Sequence, residues 1–220
     1  MNNANLQKDF DIDYAKRVDF FSKGERYKNE LDVLTKLLLL ERGDRLLDIG
    51  CGSGNAMTYF TENIGCIAKG IEKRKEYVSL AKNPQDIIVS NAESLPFKDN
   101  SFDKAVIIHV IGHIDDPIKA LIEARRVIKG GGKLGIITPN KYFIFAMKPL
   151  NWIGIIKHKP DTTRLRLYSR KGIENDLLKS GWKNVKSMTF GDLPKLLKPF
   201  SWLGFMNIFR ERVIVTAEKK

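Results

Sequence analysis

The chain has 220 residues, 43% of them hydrophobic and 29% charged, a balance that excludes a disordered or fibrous protein and suffices for one elaborated globular core. The formal net charge of +12 is unevenly placed: residues 1–140 carry 21 Lys/Arg against 20 Asp/Glu, whereas residues 141–220 carry 17 against 6. Two cysteines, Cys51 and Cys66, are too few for a disulfide framework and lack a metal-site spacing, so neither a stapled secreted fold nor a structural zinc is expected.

The chain starts without a basic stretch followed by an apolar one, which argues against a secretory signal. Its apolar runs at 143–147 and 200–209 fall short of the roughly 20 residues that span a bilayer, and a cytoplasmic location is expected. Over residues 29–40, Leu31, Val33, Leu34, Leu37 and Leu38 recur at helical spacing, with Gly43 and Asp44 closing the pattern. Residues 1–44 therefore read as a helical cap. Residues 45–49 form a short apolar run ended by Gly50, and a helical stretch covers 55–63, giving a strand, a glycine turn and a helix.

This alternation repeats, with strand-like runs at 66–71, 86–89, 104–108 and 133–138 and helical patterns at 73–82 and 117–128. Residues 45–138 thus read as the core of an α/β fold and, since ligand in such a fold sits at the strands' carboxyl ends, as its expected cofactor-binding part. The expectation is a Rossmann-like, doubly wound, mostly parallel sheet of seven strands, with ligand at the carboxyl ends of the strands.

After Pro139 the rhythm breaks. Residues 139–168 mix Tyr142, Phe143, Phe145 and Trp152 with Lys141, Lys148, Lys157 and Lys159 and read as an inserted aromatic and basic lid. Regular structure resumes with Ser169 as N-cap, a helix to Lys179 and a stop at Gly181. Strands at about 185–190 and 212–217 finish the sheet within residues 169–220, with an aromatic excursion at 193–209 between them. All 220 residues are read as one domain.

Asp48-Ile49-Gly50-Cys51-Gly52-Ser53-Gly54 sets three glycines at alternate positions between strand and helix. Such a turn lets backbone approach a ligand and adds the free amides of a helix N-terminus. A dinucleotide G-x-G-x-x-G fingerprint would need glycine or alanine where Asn55 stands, and no Gly-Lys pair follows for a phosphate loop. The spacing resembles motif I, E/D-x-G-x-G-x-G, of the class I S-adenosylmethionine-dependent methyltransferases. The chain is similar to the branch that includes quinone, sterol and small-molecule methyltransferases.

That resemblance implies S-adenosylmethionine as cofactor, S-adenosylhomocysteine as product, and contacts from Asp48, Gly50, Cys51, Gly52 and Gly54. It makes Glu72, 18 residues past Gly54, the acceptor of hydrogen bonds from a ribose diol. Asn91-Ala92-Glu93-Ser94-Leu95-Pro96-Phe97 resembles D-A-x-x-L-P-F, which implies Asn91 on the adenine amine, the Ala92 amide on a ring nitrogen and Glu93 in the same turn. Asn91 replaces the usual Asp and keeps an uncharged acceptor. Phe97 is either an adenine wall or core, and Asp103 reads as structural.

Residues 108–117, from Ile108 through His109 and His113 to Asp116-Pro117, resemble the family's h-h-x-x-x-H-h-x-D-P. This implies that His109 reaches the methionyl part through its carbonyl. His113 is the candidate general base, with packing at a helix entry as the competing role, and His158 comes second. Arg126-Val127-Ile128-Lys129-Gly130-Gly131-Gly132 resembles R-V-L-K-P-G-G, and Gly181-Trp182 resembles the family's G-F.

An N-P-P-Y signature is absent after the fourth strand, which disfavours exocyclic-amine acceptors. The expected acceptor is a small molecule or lipid-like molecule, with RNA second. The basic last third is expected to meet an anionic surface, membrane or RNA. No obligate protein partner and no metal are expected. A non-catalytic cofactor binder or a nicotinamide-dependent reductase is the alternative of another class.

Overall fold

The computed structural model describes residues 22–152, 164–193 and 210–220, together with Lys16, Asp19 and Lys198. The chain order is α1 (Glu25–Leu38), β1 (Arg45–Ile49), α2 (Asn55–Asn63), β2 (Ile67–Glu72), α3 (Lys75–Val78), β3 (Ile87–Val89), β4 (Phe102–Ile108), α4 (Pro117–Val127), β5 (Ile128–Pro139), α5 (Lys141–Trp152), α6 (Arg170–Lys179), β6 (Lys183–Phe190) and β7 (Arg212–Glu218). The seven strands lie in the order β3-β2-β1-β4-β5-β7-β6. Pairings from β3 to β5 are parallel, and β7 runs antiparallel between β5 and β6. This is the doubly wound, mostly parallel sheet expected.

Successive side chains of a strand point to opposite faces, and adjacent core residues sort accordingly. Leu47, Ile107, Ile136 and Val215 join the apolar cluster under α4 and α6, whereas Leu46, Val106, Ile137 and Ile214 join the one under α1 and α2. Both faces are covered, which is why the central strands carry runs of apolar residues rather than an alternation. Leu31, Leu34 and Leu38 of α1 are fully buried, each stabilising by about 1.5–3 kcal/mol. On the other face, buried Trp182 donates its indole N–H to the Leu121 carbonyl at 3.0 Å and locks β6 to α4.

Several expected boundaries shift. α1 begins at Glu25 rather than Asn29 and ends at Leu38, with Leu39 in the left-handed region at φ 54°, well before Gly43. The helix expected over 73–82 shrinks to Lys75–Val78, none of whose residues is fully buried, so little packing offsets the cost of propagating it. Conversely, β5 starts at Ile128 rather than Lys133. It runs through Gly130–Gly132 because Ile128 pairs with Phe102 and a register shift between Phe102 and Lys104 absorbs the extra residues. Ser169 accepts from the Gly172 N–H and caps α6 as expected. Within the expected insertion, residues 141–152 form helix α5; residues 153–163, including His158, and most of 193–209 lie outside the described residues.

Candidate active site

A cleft of about 810 Å³ opens where β1, β2 and β4 end, with the third-strand loop and residues 164–165 completing its walls. Its floor is the glycine turn. Gly50, Gly52 and Gly54 all have positive φ, at 77°, 56° and 77°, a conformation that costs an L-residue roughly 1–2 kcal/mol. The N–H groups of Gly50 and Cys51 both donate to the Ile71 carbonyl, at 2.7 and 3.0 Å, tying the turn to β2. A Cβ on Gly50 would lie 2.5–2.9 Å from the Val110 side chain, so β1 and the loop after β4 can converge only there. At Gly52 a Cβ would meet nothing nearer than Tyr77 Cδ1 at 3.7 Å; that position faces open cleft.

Glu72, at the end of β2, reaches back under the turn. One carboxylate oxygen accepts the Gly52 N–H at 2.9 Å and the other the Arg74 N–H at 3.0 Å. A carboxylate has about four lone-pair sites, so each oxygen keeps capacity for a further donor. Next along the wall, Asn91 Oδ1 accepts the Glu93 N–H at 3.3 Å, and Glu93 accepts the Asp116 N–H at 2.9 Å. Glu93 thereby joins this loop to the start of α4. Arg126 holds the remainder of the loop, donating to the carbonyls of Leu95 and Phe97 and to Asp99 and Glu123.

Of the residues singled out in the sequence, Gly50, Gly52, Glu72, Asn91, Ala92, Glu93, His109 and His113 line the cleft. Three expected contacts do not. Gly54 is the N-cap of α2, with Ile87 and Met57 around it. The Cys51 thiol packs against the backbone of Gly70 on β2, and burial, reinforced by the charges of Asp48 and Glu72, pushes it up and leaves it inert as a nucleophile. Asp48 is 2% exposed beneath the turn, with Oδ1 unpartnered; burial and then the charge of Glu72 push its carboxyl up to about 7.

Phe97 packs edge-on against Phe102, ring centroids 4.8 Å apart, beside the core under α4, and does not line the cleft. Asp103 accepts from the Arg45 N–H and Lys129 and is structural.

His109 sits in the left-handed region at φ 60°, an uncommon backbone state that clusters at functional sites. Its N–H donates to the Ile137 carbonyl at 2.7 Å. The ring turns toward α1, where Nε2 lies 2.6 Å from Glu30 Oε2, and Glu30 Oε1 accepts from Arg212 Nε at 2.9 Å. His113 closes a 3-10 turn, its N–H donating to the Val110 carbonyl at 2.8 Å. Across the cleft mouth Lys73 pairs with Asp115 at 3.2 Å. The N–H groups of Leu165 and Arg166 both donate to the Gly112 carbonyl, which pins the chain that returns from the insertion.

Residues from the N-terminal part, which no motif marked, also reach the turn. Asp19 accepts from the Asn55 side-chain amide at 2.8 Å and from Ser53 Oγ. Tyr27 lies near Asp48 and Glu30, and burial, then those two charges, push its phenol well above its ordinary value. Their only sequence signal is that they precede or lie within the apolar stripe of α1.

Residues 47–136 match the family model described as Methyltransferase domain. Two uncharacterized proteins of Methanocaldococcus jannaschii are similar to the chain: one is 35% identical over 59% of the chain and 62% of its own length, the other 32% identical over 77% and 68%. A demethylmenaquinone methyltransferase of Oceanobacillus iheyensis is 30% identical, and the chain spans about half of that protein, 53%. Among solved structures, the methyltransferase in complex with the Haloferax volcanii Trm112 methyltransferase activator superposes with a TM-score of 0.70 at 19% identity, over 93% of both chains. That last likeness concerns the fold alone.

Proposed function

We propose that the chain, a class I S-adenosylmethionine-dependent methyltransferase whose residues 47–136 match the methyltransferase domain model, methylates a small or lipid-like acceptor in the cleft above the glycine turn. The observation that carries the donor's placement is the open space beside Gly52, whose N–H is held by Glu72. The residues present fit the cofactor. Gly52 leaves its floor free of side chains, and Glu72 retains lone pairs for a diol. Asn91 and the Ala92 amide, which line the cleft, are the proposed readers of the adenine.

When bound, S-adenosylmethionine supplies an electrophilic methyl carbon on a sulfonium. What remains for the protein is to orient the nucleophile, exclude water and, where needed, accept a proton. Ile114 and Leu165 add apolar surface beside Asp115 and Arg164, a patch suited to the apolar part of an acceptor. His113, at the same end of the cleft, is the proposed proton acceptor.

A quinone-like acceptor is supported by the similarity to demethylmenaquinone methyltransferases. Transfer to RNA is the second reading, supported by the excess of Lys/Arg in residues 141–220. Incubation with labelled donor and fractionated lipid, metabolite and RNA extracts tests both: label in the lipid or metabolite fraction supports the first, and label in RNA alone overturns it.

A further inference from the structure

We propose that α5 docks the protein on an anionic lipid surface, holding the mouth of the cleft at the bilayer. The inference deepens the proposed function, since it rests on a lipid-like acceptor being the substrate, but its evidence lies outside the cleft.

The first observation is the face of the helix. At about 100° per residue, Tyr142, Phe145 and Trp152 fall within an arc of about 80°. The structure leaves them 40%, 49% and 88% exposed, so no core of the described residues covers this aromatic stripe. Lys141 and Lys148 project along its flank, with Nζ 5.3 Å from the Tyr142 ring centroid and 4.7 Å from that of Phe145. Aromatic rings edged by lysine amines are the arrangement that suits the level between acyl chains and headgroups.

Charge provides the second observation. Residues 141–160 contain four lysines and no Asp or Glu, so nothing in this stretch opposes a negatively charged surface. Among the described residues no helix is long and apolar enough to cross a membrane, which makes the contact peripheral.

Placement is the third. α5 follows directly on β5, at the end of the sheet where the cleft opens, and its Lys141 N–H donates to the Tyr168 carbonyl. The same returning segment brings Leu165 to the cleft wall, and Leu165 is itself exposed. An acceptor dissolved in the bilayer would meet the cleft beside the docked helix. An RNA-binding face would interleave its rings with arginine and hydrogen-bonding side chains; α5 has no arginine, and Ile144 and Met147 lie along its length.

The test is flotation of the full chain with vesicles of phosphatidylcholine alone and of phosphatidylcholine with phosphatidylglycerol, read together with tryptophan emission. Binding should be about ten-fold or more tighter on the anionic vesicles and weaken with salt. Emission should shift to the blue, and Trp152→Ser should remove the shift. Phe145→Ser with Trp152→Ser should lower partitioning about ten-fold or more, and Lys141→Glu with Lys148→Glu should abolish the anionic preference.

Calorimetric titration of the same variants with S-adenosylhomocysteine should give the affinity of the unsubstituted chain, which separates docking from the cleft. Equal binding to both vesicle types, binding that survives these substitutions, or a face that captures single-stranded RNA and not vesicles would each overturn the proposal. Failure of the unsubstituted chain to bind S-adenosylhomocysteine would instead strike the proposed function, with the vesicle result standing apart.

Discussion

Nε2 of His109 lies 2.6 Å from Oε2 of Glu30. With Arg212 on the other oxygen, this buried carboxylate joins α1, the end of β4 and the start of β7 beside the cleft. Burial alone would raise the Glu30 carboxyl, but the His109 ring and the Arg212 guanidinium more than offset it and hold the group below the usual carboxylate range.

Glu30→Gln should therefore destabilise the fold by about 1–3 kcal/mol, because a neutral amide weakens the charged hydrogen bonds to Arg212 and His109, although Arg212 keeps its pairing with Glu211 at 2.9 Å. The sign of the pH dependence follows from the lowered value. The stabilisation is present above the ordinary carboxylate pKa and is lost as pH falls through the lower folded one. Urea unfolding at pH 7 and pH 3 should show the gap between the chain and its Gln variant narrowing in acid; a constant gap would contradict the ion pair.

Asp48 behaves in the opposite sense. Its carboxyl, pushed up to about 7 by burial and Glu72, takes up a proton on folding between about pH 4 and pH 7. The stability it contributes is fully present below the unfolded pKa and is lost as pH rises through about 7. Asp48→Asn, neutral at every pH, should gain about 2–4 kcal/mol over the unsubstituted chain at pH 8 relative to pH 5. Parallel stability curves for the two proteins would show Asp48 to be solvated.

The two inner glycines should fail differently. Gly50→Ala drives a methyl group into Val110 and should cost about 2–4 kcal/mol of stability through overlap and left-handed strain. Gly52→Val fills open cleft and, at a φ of 56°, should cost about 1–3 kcal/mol of backbone strain but still leave a folded chain, by circular dichroism, that no longer binds S-adenosylhomocysteine. Undiminished affinity in the second variant would remove the turn from the site.

Much of this was legible in the residues because local and global preferences agree. β1, the turn and α2 fall where the run of residues 45–49, the three glycines and the stretch from Asn55 place them. Glu72 and Asn91 were marked by the resemblance to the family's motifs, and both lie on the cleft wall. The Glu30–His109–Arg212 cluster was not legible, since a carboxylate beside Leu31 resembles any helix-surface acid until tertiary structure buries it. α3 was overestimated for the converse reason: a pattern over 73–82 has helical spacing, but none of Lys75–Val78 is fully buried. Gly130–Gly132 resembles a turn in sequence, yet the pairing of Ile128 with Phe102 on one side and backbone hydrogen bonds between Lys219 and Gly131 and Gly132 on the other hold it within the start of β5.

Calorimetric titration of S-adenosylhomocysteine into the chain and into Glu72→Ala tests most directly the claim that Glu72 and the glycine turn grip the methyl donor. One site should be seen on the unsubstituted chain, weakened by about 1–3 kcal/mol, or roughly 5- to 150-fold, in the variant as the charged acceptor is lost. Equal affinity in the two proteins, or uptake of a nicotinamide dinucleotide with no heat from S-adenosylhomocysteine, would contradict it.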